Sequence, residues 1–594
     1  MKRISFILLT ALISLCSCES VLEKTPDGQI TLDKVLSNYG RSRGLLDAAY
    51  GEVYMGRDYI CFIHNTIESL TDNTYWAGTY NAYEWHNGSL SLSNPVIDWP
   101  TNSPRDQLWA DFWRGIRLAN NAIKYLPMST VITEKERDTW VAEARVLRCW
   151  YYMNLLEFYG PMPWLEEPLQ DDYNGWNDLK RPTFDEIATK ISDELMAVVH
   201  SGVLPNRQTP TEARHVDNGV AYAIRARVLL NNASLLNNPT HDNGKWKRAA
   251  DAAQDVLNMS EYSLVPMSDY KKLFVGAFTT PISEIIWRSW ADNSHINDTN
   301  GVDVGTYTCS DTRIKINHLW RCGDSPTQEL VDCFEMKNGS LPVTYNDDTR
   351  TNVTVTPGAA ALGYSEAPGG DPYSNRDARF YVDILYNMAN YGVPYNCTEP
   401  FIVETYVGAK NGFNDLVTDP ATNSCTGYYN CKDTQIKYFG PGGSKGNEPT
   451  HWVFFRLAEF YLDKAEALCE LGDLDGALTA LNAIRERALQ PKLQDVEGFQ
   501  KNHDFIMSRI RNERRVEFCM EGWRFHDQRR WKILDKTNNF VTGMRITKDE
   551  DNKFHYQRKK IRDYQSNTDK YLVLPIPLED AKKMASMTQP EAWR

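Results

Sequence analysis

The sequence has no CxxC pair, no HExxH, no Walker phosphate loop and no G-x-G-x-x-G, and its 11 histidines are dispersed. Zinc, nucleotide and dinucleotide chemistry therefore have no support in the residues. Positive charge is also short, with 65 Lys and Arg against 78 Asp and Glu and a net charge of −13. Nucleic acid or an anionic lipid surface is a poor main partner for such a chain, because phosphate binding needs clustered basic side chains. The apolar stretch from Ile4 to Leu15 is too short to cross roughly 30 Å of hydrocarbon.

That short stretch is nonetheless informative. Lys2 and Arg3 form a basic n-region, the apolar residues form an h-region, and small Ser17 precedes Cys18. The pattern predicts a lipoprotein signal spanning 1–17, cleaved before Cys18, whose acylated thiol and amino group become a membrane anchor. Cys16 fits less well because bulky Leu15 precedes it. Losing Lys2 and Arg3 takes the net charge from −13 to −15. Residues 18–31, polar and holding Pro26 and Gly28, read as the lipidated cysteine and its tether.

The 594 residues are 42% hydrophobic and can bury a large core. Trp109, Phe112, Trp113, Ile116, Ala119, Ala122, Ile123 and Leu126 follow helical spacing, and Pro127 closes the segment. A second helix carries Ala142 to Phe158 and stops at Gly160-Pro161. Further helices are predicted near 184–199, 216–231 and 246–257, and from Trp452 to about Trp531. In the pair around Lys464-Ala465-Glu466-Ala467-Leu468 and Leu478 to Ile484, small Ala467, Gly472 and Ala477 allow close antiparallel packing, as in tetratricopeptide hairpins. Ala249, Ala250 and Ala253 behind Trp246 suggest a second copy. The expected fold is mainly α: a helical-hairpin scaffold with a loop-rich, short-strand ligand-binding region. Its parts are 32–298, a Gly-, Pro- and Asn-rich insertion over 299–450, and 451–594.

Ten cysteines remain after Cys16 and Cys18, all scattered. Cys425 and Cys431 sit close enough in a turn-like setting for a disulfide to be conceivable, whereas Cys149, Cys469 and Cys519 read as buried thiols. Gly442-Gly443-Ser444-Lys445-Gly446 matches the nucleophile-elbow pattern. However, Pro441 and Asn447-Glu448-Pro449 replace the strand and helix that an elbow needs. The acid pairs Glu166-Glu167 and Asp171-Asp172 read as solvated surface rather than a glycosidase couple. The loop-like aromatics Trp76, Tyr80, Tyr83, Trp85, Trp99, Trp290 and Trp320 are the candidate ligand contacts. A flat ring stacks on a sugar face, while Asn73, Asn81, Asn87, Asp98 and Asn102 are placed to bond hydroxyls.

In the C-terminal third, Arg456-Leu457-Ala458-Glu459, Ala465-Glu466-Ala467 and Leu481-Asn482-Ala483-Ile484-Arg485-Glu486-Arg487-Ala488 form a pattern that resembles the SusD/RagB family of outer-membrane nutrient-binding lipoproteins. Glu513-Arg514-Arg515-Val516-Glu517, Glu521-Gly522-Trp523-Arg524-Phe525-His526-Asp527, Arg530-Trp531 and Leu574-Pro575-Ile576-Pro577 extend it. Asn375-Arg376-Asp377-Ala378-Arg379, Glu143-Ala144-Arg145 and Gln589-Pro590-Glu591-Ala592-Trp593 add matches along nearly the whole chain. Taken without the family, these charges at helical spacing would be a solvated, salt-bridged helix. The resemblance implies a lipid anchor on the outer membrane facing outward, and a SusC-like TonB-dependent transporter as partner. It also implies capture of an oligosaccharide without catalysis, cofactor or metal. No binding residue carries over by position. A peptide ligand on the same scaffold, a lipid-anchored glycosidase and a ligand-free transporter lid stay open as rivals.

Overall fold

The structure is a computed structural model. It describes residues 30–54, 61–62, 65–76, 81–94, 108–170, 172–210, 212–275, 282–288, 325–393, 398–409, 411–415, 423–432, 453–584 and 586–594. The signal, Cys18, the tether up to residue 29 and the Gly442 to Gly446 run lie outside them.

Helices dominate. Among them, in chain order, are α1 (Tyr39–Tyr54), α2 (Asn81–His86), α3 (Leu108–Tyr125), α4 (Glu134–Tyr159), α5 (Phe184–His200), α6 (Asn218–Ala233) and α7 (Asn243–Leu257), then α8 (Leu457–Glu470), α9 (Leu474–Arg487), α10 (His503–Glu517) and α11 (Trp523–Arg530). The apolar spacing of the sequence produces them, and local chemistry fixes their ends. Thr133 and Thr183 each close a capping box with Glu136 and Glu186 at the starts of α4 and α5. Gly160, at φ 77°, caps the end of α4.

α1 packs on α3, α3 on α4, and so on through α7, so neighbours in sequence are neighbours in space. Tight approaches rest on small residues. A Cβ on Gly115 of α3 would lie 2.5 Å from the Tyr151 ring of α4, so only glycine admits that contact. The row then continues from α7 directly onto α8, although nearly 200 residues of chain separate them. Trp246, Ala249 and Ala250 of α7 share an apolar cluster with Ala467 of α8, so the two tetratricopeptide-like hairpins predicted from the alanines stack on each other.

Strands β1 (Ile285–Arg288) and β2 (Val453–Arg456) pair antiparallel at the base of the long excursion between α7 and α8. Among the described residues strands occur only as two-stranded ladders. The longest joins β3 (Phe540–Lys548) and β4 (Phe554–Asp563). Arg558 of β4 grips the excursion, its Nη1 donating to Asp332 at 2.6 Å and its Nη2 to Glu366 at 2.6 Å.

The charged residues expected on solvated helix faces are instead buried. Arg456, Arg485, Arg514, Glu459, Glu466 and Glu517 are at most 1% exposed. Arg456 Nη1 donates to Glu517 at 2.5 Å and to Glu284 at 3.0 Å. Arg379 reaches Glu513 at 2.6 Å and Glu517 at 2.8 Å, and Arg487 also donates to Glu517. Arg530 binds Glu466 at 2.5 Å and Asp527 at 2.8 Å, and Arg514 binds Asp463 at 2.5 Å. Burial alone would raise the Glu517 carboxyl; Arg487, Arg456, Arg379 and Lys432 overcome it and hold the group well below the usual carboxylate range. Alternating charge on a helix is compatible with either face, and here compensation inside the protein favours the interior.

Cys149, Cys469 and Cys519 are buried thiols, as the helical pattern implies. Cys425 and Cys431 are buried in two separate apolar clusters. Glu166 pairs with Lys190 and Glu167 with Lys124 on the surface, so these acids are solvated ion pairs. No helix among the described residues is long and apolar enough to cross a membrane.

Candidate ligand-binding face

Residues 67–76 read as a polar loop, yet every one is buried. The cause is the C-terminal charge pattern. Asp72 accepts from Arg524 Nε at 2.8 Å and Nη2 at 3.0 Å, and from Gln528 at 2.6 Å. Glu68 accepts the backbone N–H groups of Met520 and Gly522 at 3.2 and 3.0 Å, the latter residue in the left-handed region at φ 81°. Burial opposes the charge on Asp72, but Arg515 and Arg524 pull its carboxyl down to about 2. Glu68 has fewer partners, and burial pushes it up to about 7.

This plug corrects two readings. Trp76, at its end, is 2% exposed and belongs to the main core, so it has no face to offer a ligand. Asn73 is wholly buried, donating to Glu68 at 2.6 Å and accepting from Arg515 at 2.7 Å, so it holds the plug instead of a hydroxyl. Trp85 is corrected likewise: 2% exposed, it packs edge-on against Tyr571 at 4.7 Å and beside Phe525 at 5.8 Å.

Helix α2 explains the split between its aromatics. At about 100° per residue, positions 83 and 85 point to nearly opposite sides, so burying Trp85 turns Tyr83 outward. The Tyr83 ring is half-buried and lies under the Arg562 guanidinium of β4, 3.7 Å from its centroid. Arg562 also donates to the exposed Asn87. A hydrogen bond with Asn87 and the charge of Arg562 lower the Tyr83 phenol below the ordinary tyrosine range. The three side chains form a flat ring braced from one side, with an amide and a guanidinium at its edge. Tyr80, Trp99, Trp290 and Trp320 lie outside the described residues.

A second aromatic surface escaped the sequence reading. In the excursion, Tyr386 stands 4.7 Å from buried Tyr373 and 6.1 Å from Tyr381, which is 42% exposed; Tyr556 of β4 meets Tyr373 edge-on at 6.0 Å. Tyr381 is fixed by donating to the Tyr373 carbonyl at 2.9 Å. Burial, then neighbouring charge including Asp371, pushes Tyr386 and Tyr556 up to about 12, so both stay neutral at physiological pH. Rings with fixed faces and hydroxyl edges are suited to stacking and hydrogen bonding. The only signal in the sequence was tyrosine density around Asn375 to Arg379. Among the described residues no group of three or more His, Cys, Asp or Glu is placed to hold a metal ion.

A model of the SusD family matches residues 283–593, and one described as "Starch-binding associating with outer membrane" matches residues 22–230. A SusD-like protein of Formosa agariphila is 23% identical over 598 residues, covering 98% of this chain and 97% of its own. The starch-binding protein SusD of Bacteroides thetaiotaomicron is 24% identical over 552 residues, covering 89% and 85%. The crystal structure of a SusD-like protein from Bacteroides fragilis superposes with a TM-score of 0.70 at 23% identity, over 96% of this chain and all of the other. The fold is thus that of a known architecture, and the chain belongs to the SusD family.

Proposed function

We propose that this chain is a non-catalytic lipoprotein of the outer membrane, anchored through Cys18 and facing outward. It binds an oligosaccharide on its loop-rich face and delivers it to a SusC-like TonB-dependent transporter. The observation that carries the reading is Tyr83, an outward ring braced at 3.7 Å by Arg562 and edged by Asn87. Such a surface suits the apolar face and hydroxyl rim of a sugar. Tyr80, Trp99, Trp290 and Trp320 are proposed as further contacts, and Tyr381, Tyr386 and Tyr556 as a second stacking surface. The starch-binding description that matches residues 22–230, and the name of the Bacteroides thetaiotaomicron relative, support a carbohydrate as ligand.

Native gels cast with a panel of polysaccharides test the reading, using the soluble protein from Glu19 onward. Retardation by one glycan class supports it and names the substrate. Migration unchanged in every gel overturns it. Release of new reducing ends during incubation would instead make the protein a glycosidase, and capture of a SusC-like transporter in a pull-down tests delivery.

A further inference from the structure

Between the C-terminal end of α4, the start of α5, α11 and the last residues of the chain lies a cavity of about 190 Å³. Cations outnumber acids on its walls, where Arg181, Arg529, Arg530 and Arg594 face Glu157 and Glu591.

Two of these arginines, buried Arg529 and half-buried Arg181, differ from the ion-paired guanidinium groups of the interior. Arg529 is 3% exposed and bonds only to carbonyl oxygens, Nε to Leu572 at 2.8 Å and Nη2 to Phe158 at 3.2 Å. Arg181 does the same, with Nε on Thr588 at 2.8 Å and Nη1 on Tyr159 and Pro161 at 3.1 and 3.2 Å. In this way each caps the orphan carbonyls that end α4. Each also leaves one terminal nitrogen buried and unbonded, Nη1 of Arg529 and Nη2 of Arg181. Among the described residues neither has a carboxylate within ion-pair distance, whereas Arg379, Arg456, Arg485, Arg514 and Arg530 each have at least two.

The charges left in the cavity favour an anion. Burial, then the nearby Arg594, lowers Arg181 to about 10, and burial lowers Arg529 to about 9, so both are cations at neutral pH. His526, on the same wall, is held neutral by burial and by Arg529. Glu157 is the acid on the inner wall, accepting from Asn231 at 3.1 Å; burial raises its carboxyl above the usual range, which weakens its opposition to a second negative group. A buried guanidinium fork with a spare donor is the standard recognition element for planar or tetrahedral oxyanions.

We infer that this cavity binds a small oxyanion, a carboxylate, sulfate or phosphate group, between Arg181 and Arg529, with Arg594 at its mouth. Both guanidinium groups belong to residues that line the cavity and have no carboxylate partner, so an anion there supplies the counter-charge that they lack. A uronic or sulfated sugar and a free inorganic ion carry the same chemistry, and the choice of probe separates them.

The experiment is calorimetric titration of the soluble protein with sodium sulfate, sodium phosphate and sodium glucuronate at constant ionic strength, with glucose as the neutral control. The inference expects saturable binding of at least one anion, none of glucose, and a loss of about tenfold or more in affinity in Arg181→Gln. Arg594→Ala, at an exposed position, weakens binding without touching the caps of α4, which covers the case in which Arg181→Gln fails to fold. Saturation by glucuronate alone assigns the site to an acidic sugar, and saturation by sulfate or phosphate alone assigns it to a free ion. Absence of saturable binding overturns the inference, as does affinity unchanged in both variants. Neither result bears on retardation by polysaccharide, so this site and the aromatic face fail independently.

Discussion

Glu517 Oε1 lies 2.5 Å from Arg456 Nη1, and the same carboxylate also serves Arg379 and Arg487. One acid on α10 thus ties β2, α9 and the excursion to the helical row, with Glu517 and Arg456 both excluded from water. Removing its charge takes the shared counter-ion from three buried guanidinium groups, leaving Arg456 and Arg487 to share Glu284 and Arg379 on Asp377 and Glu513. Glu517→Gln is expected to cost about 3–5 kcal/mol, read as a fall in the urea midpoint. A change within experimental error would mean that water or another acid compensates the cluster.

The contact between α3 and α4 yields a second expectation. Gly115→Ala places a methyl 2.5 Å from the Tyr151 ring, whose hydroxyl donates to the Ala49 carbonyl at 2.5 Å and so cannot retreat freely. A loss of about 1–3 kcal/mol in chemical denaturation is expected, with partial recovery in the Gly115→Ala, Tyr151→Phe pair as that anchor is released.

Asp217 caps α6, accepting the N–H groups of Val220 at 2.9 Å and Gln208 at 2.8 Å, yet burial raises it to about 7. The folded state therefore holds the proton more tightly than the unfolded chain. This contribution to stability is complete below pH of about 4 and is lost as pH rises through 7. Asp217→Asn retains an acceptor for the cap and removes the titration. Between pH 5 and pH 8 the variant is expected to lose less stability than the natural protein. Parallel losses in urea midpoint would contradict this.

Trp85 and Tyr83 separate core from surface on one short helix. Trp85→Ala empties a site among Phe525 and Tyr571 and is expected to cost about 3–5 kcal/mol. Tyr83→Ala removes a half-buried ring and its contact with Arg562 and should cost only about 1 kcal/mol. Equal thermal losses in both variants would show that Tyr83 is packed as a core residue.

The helices from Trp109 to Leu257 were legible because their apolar residues repeat at 3.6 positions, a period that a buried face imposes directly. The two hairpins were legible from the alanines of α7 and α8, but their stacking across nearly 200 residues of chain was not. The burial of residues 67–76 was not, because Glu68, Asp72 and Asn73 find their partners some 450 positions away at Met520, Gly522, Arg515 and Arg524. Local polarity reads as exposure unless those distant partners are known. Trp76 and Trp85 were misplaced for that reason. Tyr83 differs because the helical geometry that buries Trp85 turns it outward.

The central claim is that a sugar stacks on the face built around Tyr83. Affinity electrophoresis of the natural protein and of Tyr83→Ala in the retarding polysaccharide tests it most directly. The account predicts retardation of the natural protein, weakened several-fold in a variant that remains folded at the temperature of the gel. Equal retardation of the two would contradict it.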